Sequence, residues 1–488
     1  MALNLPNEWN ARDYQSPLFQ YMFEGGLDRK RGCAVWHRRG GKDSCCLQLS
    51  AVSSQMRVGT IWHMLPTLKQ GRRVIWDGID RQGRKMIDQA FPKEMRDPSS
   101  PINNSDMQIR FRNGSIYQVV GSDNYDSLVG TNPVGVIFSE WAVADPKAWD
   151  YIRPILAENG GWALFIYTPR GKNHGKKLYD MAQANSRWFC SMLTVDDTFR
   201  PDGTYVIAPN IIEQERAEGM SEEKILQEYF CSFEAGMEGA FYTNELNLAE
   251  SEGRIGDYPH DPMKPCQTWW DIGFRDATAI IVTQRGDDGK PVIIDYLEAR
   301  NKALDEWIRD VRSLPYDYDE HNGPHDLENT DWTTGKTRRE FALGLNFAFE
   351  IVPKLPVQDG IDATRAIIRV ARFDENKAGR LIDGLYSYRR EYDDRLQMFR
   401  DKPYHDWASH PADAMRYLSV GWRDYVGGLR VSSSKYNVKP AVSGHRKRQK
   451  QDYQDMYPWM FNEDGSIRHG PTRDQSKIRQ PRLTTKNR

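Results

Sequence analysis

Apolar residues follow two rhythms over the first 230 positions. Short runs rich in aromatic and branched side chains fall at 33–36, 59–65, 116–120, 134–138, 162–167 and 188–193, and their length and composition predict buried strands. Between several of them, 44–55, 70–88 and 147–157 repeat apolar residues at helical spacing, and 221–230 closes this half in the same way. Strands alternating with helices imply a largely parallel sheet covered on both faces. Arg112-Asn113-Gly114-Ser115 predicts a hairpin turn with positive φ at both central residues. The second half has another rhythm. Residues 267–284 read as one long strand, 285–290 as a turn and 291–300 as a second, antiparallel strand. A helix over 303–314, a short strand ending near Pro324-His325-Asp326 and a late helix beginning at Pro411 complete the pattern.

At 488 residues the chain is expected to hold two to four domains. The segmentation expected is an α/β domain over 1–245, a Gly-, Pro- and Asp-rich linker over 246–265, a second domain over 266–427, and a basic, flexible tail over 428–488. With 67 basic and 68 acidic residues the total is balanced, but the segment from Arg430 onward holds 14 Lys/Arg against 5 Asp/Glu. Near-neutrality is therefore no argument against nucleic-acid contact. No apolar stretch approaches the length of a membrane span. The first residues lack the basic start and apolar core of a signal peptide. Six scattered cysteines without a CxxC pair fit a reducing compartment and speak against structural zinc.

The chemistry-bearing segments sit where that pattern changes. Trp36-His37-Arg38-Arg39-Gly40-Gly41-Lys42-Asp43-Ser44 joins a strand to a helix start. Two glycines let backbone N–H groups curl around an anion, Lys42 supplies a point charge, and the helix N-terminus adds its dipole. Against the usual Walker A pattern, Trp36 stands in place of a glycine and Asp43 in place of Ser/Thr. Downstream, the 134–138 strand ends in Ser139-Glu140, the placement of a Walker B acid, with Ser139 where Asp is usual. In the second half Asp271 interrupts a strongly apolar strand, which is costly unless it is paired or binds metal. Asp326 ends the strand after the first helix, and Asp413 falls in the first turn of a helix that starts at Pro411. A strand hairpin, helix, strand and late helix match a ribonuclease H-like fold, and carboxylates converging there suit a two-metal nuclease.

Taken in order, these segments resemble the large terminase subunit of tailed bacteriophages over most of residues 10–425. The likeness includes Arg12-Asp13-Tyr14-Gln15, Pro66-Thr67-Leu68-Lys69-Gln70-Gly71-Arg72-Arg73, the segment 121–130 and Tyr167-Thr168-Pro169-Arg170-Gly171. The resemblance implies a P-loop ATPase domain with a mostly parallel sheet followed by a ribonuclease H-like nuclease domain. It implies that ATP hydrolysis drives double-stranded DNA into a prohead and that a metal-dependent endonuclease cuts the concatemer. By that likeness Gln15 reads adenine, Arg38 senses the γ-phosphate, and Arg39, Gly40, Gly41 and Lys42 hold the phosphates. Either Asp43 or Ser44 serves the Mg²⁺, Glu140 is the catalytic acid and Thr168 reports nucleotide state. Asp271, Asp326 and Asp413 are the nuclease carboxylates, holding Mg²⁺ or Mn²⁺ in two positions; read from the residues alone, Asp331, His325, His405 and His410 are the runners-up. The implied partners are DNA, the portal protein, a small terminase subunit and further copies in a ring, with no membrane. The implied location is the host cytoplasm and, transiently, the prohead, not the mature virion. Two other readings compete: a helicase-like translocase, which requires a second P-loop-like domain after residue 260, and a non-enzymatic DNA-binding adaptor with a decayed nucleotide site, motivated by Asp43 and Ser139.

Overall fold

The strand-forming runs assemble into two separate seven-stranded sheets in the computed structural model, which describes residues 5–100, 102–128, 130–273, 276–330, 335–393, 398–422, 424–426 and 429–431. The first sheet contains β1 (Arg31–Trp36), β2 (Thr60–Leu65), β3 (Gln108–Arg110), β4 (Ile116–Gly121), β5 (Pro133–Ser139), β6 (Trp162–Tyr167) and β7 (Phe189–Leu193). Its order is β3-β4-β2-β5-β6-β1-β7, parallel throughout except where β3 meets β4. This is the mostly parallel α/β sheet expected of the first half. Alternate residues of each strand serve two cores. Ala34 and Trp36 join Leu49, Trp76 and Ile137 on one face, while Cys33 and Val35 join Phe138, Trp149 and Phe165 on the other. The helix Lys42–Met56 covers the first face, and Lys147–Asn159, through Trp149, Ile152 and Leu156, covers the second.

The second sheet contains β8 (Ile255–Gly256), β9 (Cys266–Asp271), β10 (Thr278–Arg285), β11 (Pro291–Ala299), β12 (Tyr318–Gly323), β13 (Phe349–Ile351) and β14 (Arg372–Asp374), in the order β13-β12-β9-β10-β11-β14-β8. Strands β9, β10 and β11 are antiparallel, whereas β12 lies parallel to β9 and β13 parallel to β12. That arrangement matches the ribonuclease H-like expectation. It does not match the second P-loop-like sheet that the translocase reading requires. Trp269, Ile281 and Met415 pack on one face, and Trp270, Ile280 and Trp307 on the other. Residues Met1–Trp422 form one unit holding both sheets. The segment expected as a linker contains the end of the helix Thr243–Ser251 and the edge strand β8. Described by themselves, Asp424–Val426 and Leu429–Val431 pair as an antiparallel hairpin. The rest of the expected tail lies outside the described residues. Among those described, no helix is long and apolar enough to cross a membrane.

Four expectations need correction. The run 267–284 is two strands, β9 and β10, paired antiparallel with Asp271 opposite Ala279. The break falls at Gly273, in a segment between two apolar runs that also carries Arg275 and Asp276, and the Thr278 hydroxyl donates to the Gly273 carbonyl (2.6 Å). The helix expected over 70–88 divides into Leu68–Gly71, a wider-wound turn at Arg72–Trp76, and Met86–Ala90. The backbone folds back so tightly at Gly78 that a Cβ there would sit 2.2 Å from the Val74 carbonyl oxygen. The 112–115 turn does join antiparallel β3 and β4, but only Gly114 has positive φ, at 89°. The late helix spans Ser409–Gly421, so Pro411 is its third residue and Asp413 its fifth, beyond the first turn.

Candidate functional site

The carboxyl ends of adjacent parallel strands form the crevice where ligands bind in sheets of this type, and the predicted loop lies there. After β1, His37 is buried and anchored by Thr198 Oγ1 at 2.8 Å, and burial lowers its imidazole to about 4. Arg39 (φ 70°) and Gly41 (φ 79°) adopt left-handed backbone, which curls the chain into the helix Lys42–Met56. Glycine is favoured at 41, because a Cβ there would strain the left-handed backbone and come to 3.0 Å from Gln15 Nε2. The Gly40 carbonyl accepts from Tyr14 Oη (3.0 Å) and from buried Gln15 Nε2 (3.4 Å). Gln15 Oε1 in turn accepts from the Arg12 N–H at 3.1 Å. Gln15 therefore stands against the glycine turn.

Lys42 is buried, and its Nζ donates to Thr168 Oγ1 at 2.9 Å. Topology explains the contact: Thr168 follows β6, which pairs directly with β1. Its hydroxyl also donates to the Trp36 carbonyl, at 3.0 Å. Asp43 Oδ1 accepts from Ser139 Oγ at 2.6 Å and lies 3.5 Å from His63 Nε2. Burial alone raises the Asp43 carboxyl, but His63 and Ser139 hold it below its usual value. The Ser44 hydroxyl makes no hydrogen bond among the described residues. Glu140, immediately beyond β5, has φ 53° and ψ 42°. Left-handed backbone in a non-glycine residue costs about 1–3 kcal/mol and collects at functional sites. Arg38 reaches Glu228 at 3.4 Å, while Arg170, from the Tyr167–Gly171 segment, reaches the same carboxylate at 3.0 Å.

A second group of charges lies on the ribonuclease H-like sheet. Asp271 ends β9, Asp326 falls in the short helical turn His325–Glu328 after β12, and Asp413 lies on the late helix. Burial raises the Tyr417 phenol, and the charges of Asp271, Asp413 and Asp326 add to the shift. His410 Nδ1 lies 3.6 Å from Asp271 Oδ2, and Asp413 pairs with Arg416 at 3.1 Å. Asp326 is half exposed, with His325 Nε2 at 3.2 Å. Burial, with the Asp271 charge adding, lifts the Asp413 carboxyl to about 7 despite Arg416. Among the described residues the set whose ligand atoms all lie within 4.8 Å of one another is Asp276, His405 and His410. The three predicted aspartates are not such a set. Asp276 was missed in the sequence because it sits in a turn hidden within the apparent long strand. Asp331 lies outside the described residues.

Both donor sets fit divalent cations: a carboxylate and hydroxyl beside an anion-shaped loop, and carboxylates with imidazoles over a sheet end. His63, Tyr117 and Glu228 had no local signal, since each joins the first site across many residues of sequence.

No protein-family model matches the chain. A curated relative, the large terminase subunit of Escherichia phage T5, is 25% identical over 323 residues, covering 64% of this chain and 71% of the relative. Among solved structures, the large terminase of a thermophilic bacteriophage in complex with ADP aligns at 13% identity over 83% of this chain and 98% of its own, with a TM-score of 0.37. The HK97 bacteriophage large terminase aligns at 13% identity over 85% of this chain and 95% of its own, with a TM-score of 0.39. The likeness to large terminase subunits carried by the motifs thus recurs in a curated relative.

Proposed function

We propose, from this similarity to large terminase subunits, that the chain is an ATP-hydrolysing motor for double-stranded DNA that also carries a metal-dependent endonuclease. One observation supports it above the others: Lys42, Thr168, Asp43, Ser139 and Glu140 gather at the ends of β1, β5 and β6, while Asp271 ends a strand of a separate sheet. In this reading Gly40, Gly41 and Lys42 take the phosphates, Gln15 contacts the base, and Glu140 orients the attacking water. Arg38 and Arg39 carry positive charge beside the loop. A divalent ion bound with the nucleotide neutralises phosphate charge. Thr168, which shares a hydrogen bond with Lys42, is placed to respond when that amine turns to a phosphate.

On the second sheet Asp271, Asp326 and Asp413, with His410 beside Asp271, would hold Mg²⁺ or Mn²⁺ at the scissile phosphate. A mostly apolar cavity beside Ile272 and Gly273, lined by Leu304, Trp307 and Phe341, also carries Lys302, Lys336 and Arg338, of which Lys302 is paired with Asp310. By the same reading the partners are the portal protein, a small subunit and neighbouring copies in a ring on the prohead.

ATP turnover and plasmid cleavage in Mg²⁺ or Mn²⁺ test the two halves separately. Lys42→Ala or Glu140→Gln abolishes turnover, and Arg38→Ala lowers it by about 10³–10⁵. Asp271→Ala removes cleavage and leaves turnover. Cleavage that survives Asp271→Ala, or turnover that survives Lys42→Ala, rejects the corresponding assignment.

A further inference from the structure

Two departures from the usual phosphate-loop pattern meet each other in space. In P-loop ATPases the residue after the lysine supplies a hydroxyl and the strand across the site supplies a carboxylate, and the two hold one cation. Here the residue after Lys42 is the carboxylate, Asp43, and the strand end is the hydroxyl, Ser139. They lie 96 residues apart in sequence and share a hydrogen bond of 2.6 Å. Read singly, each looks like decay; together they conserve the net charge, the two functional groups and the link from loop to strand.

The surroundings fit a carboxylate held for use. Ser139 and His63 are fully buried, while the Asp43 side chain keeps 20% of its surface exposed. Ser139 Oγ at 2.6 Å and His63 Nε2 at 3.5 Å both address Oδ1. Oδ2 takes no hydrogen bond among the described residues. His63 is itself fixed, with Nδ1 2.9 Å from the Tyr117 hydroxyl. Apart from its contact with Asp43, Nε2 has no hydrogen-bond partner, although it is buried. With the proton on Nε2, Nδ1 accepts from Tyr117 and the N–H faces Asp43, so the imidazole steadies the carboxylate without needing a charge. Ser44, the other candidate, has no comparable tie to β5.

We propose that Asp43, anchored by Ser139, is the side chain through which this chain holds the nucleotide's divalent cation, a carboxylate-for-hydroxyl exchange between loop and strand. The inference rests on reading Gly40–Lys42 as a nucleotide loop. It removes the motive for a decayed site, since a swapped pair still supplies both groups.

The test is equilibrium binding of fluorescent ATPγS to the full chain, first in EDTA and then in Mg²⁺, with Mn²⁺ occupancy read by electron paramagnetic resonance. The quantity compared is the ratio of the two dissociation constants. Wild type gains at least ~10-fold from the metal, equivalent to about 1.4 kcal/mol. Asp43→Asn, which keeps the shape and can still accept from Ser139, brings the ratio near one and lowers Mn²⁺ occupancy. Ser44→Ala leaves the ratio as in wild type. The double exchange Asp43→Ser with Ser139→Asp restores most of the gain that Asp43→Ser alone loses. A full metal-dependent gain in Asp43→Asn, or its loss in Ser44→Ala, overturns the proposal. Failure of a folded double exchange to restore the ratio overturns the exchange. Absence of nucleotide binding by wild type in both conditions would instead reject the nucleotide loop itself.

Discussion

The two sites differ in how their charged groups are held. At the first sheet Lys42 has Thr168, Asp43 has Ser139 and His63, and the two arginines share Glu228. At the second, Asp271 and Asp413 face one region with His410 and Arg416 as partial partners, and Asp413 is lifted to about 7. The contrast follows from topology. Parallel neighbouring strands deliver β1, β5 and β6 ends to one line, so short side chains reach one another directly. The second group is drawn from a strand end, a helical turn and a late helix, and carboxylates so gathered repel until a cation lies between them. The first is tied together by direct hydrogen bonds, whereas in the second the Asp271 charge adds to the burial that raises Asp413.

Two carboxylates on the second lobe sharpen this comparison, because burial has opposite outcomes for them. Glu298, on β11, meets Lys147 at 2.9 Å and Arg380 at 3.2 Å, and Arg380 also reaches Asp145 at 2.9 Å. This group ties the segment after Glu140 to the second sheet. Burial opposes the Glu298 charge, but Arg380 and Lys147 win, and its carboxyl falls to about 2. Glu298→Gln leaves Arg380 and Lys147 underpaired in a buried place, and the expected loss is about 3–5 kcal/mol, read as a lower midpoint in urea. The folded value lies below the unfolded one. Wild-type stability from this group is therefore complete above about pH 4.5 and lost as pH falls towards 2. A variant midpoint equal to wild type at pH 7 would break the pairing argument.

Asp413 is the reverse case. Its folded value is raised, so the folded state pays a growing penalty as pH climbs from about 4 to 7, and the penalty is constant above that. Asp413→Asn is expected to stabilise the chain at pH 8, by about 1–3 kcal/mol after discounting for the exposed part of the side chain, and to have little effect at pH 4. Mn²⁺ added at pH 8 should raise the wild-type melting temperature and leave that of the variant nearly unmoved. Equal destabilisation by Asn at both pH values would mean that the Arg416 pair outweighs the repulsion.

The same contrast explains what could be read from sequence. Gly40, Gly41 and Lys42 were legible because the loop's chemistry is local, and the β1, β5 and β6 runs because buried parallel strands are apolar without interruption. The boundary at Gly273 was not, since the apolar runs of β9 and β10 lie only a few residues apart and read as one strand. That error put Asp271 in mid-strand and concealed Asp276. The start of the late helix at Ser409 was missed because Pro411 is acceptable anywhere in a first turn, where its absent N–H costs nothing. Nothing along the chain marks His63 as a neighbour of Asp43, because only the pairing of β2 with β5 brings them together.

The smallest expected effect concerns Glu228, which is buried and holds two arginines of unequal standing. Arg170 is 19% exposed at 3.0 Å, whereas Arg38 is 61% exposed at 3.4 Å. An ion pair as exposed as that of Arg38 is worth about 0–1 kcal/mol, so Glu228 restrains Arg38 only weakly. If Arg38 must leave this carboxylate to meet a γ-phosphate, Glu228→Gln frees it and lowers the KM for ATP by no more than about 5-fold. The change should shrink as salt is raised, because an exposed pair is screened over a Debye length of about 10 Å at 0.1 M. The Arg170 contact is better shielded, so the accompanying loss of thermal stability should persist in salt. An unchanged KM at low salt, in a protein where Arg38→Ala still slows turnover, would show that Arg38 is free before nucleotide arrives and that pairing at the first site stops at Lys42, Thr168 and the Asp43–Ser139 link.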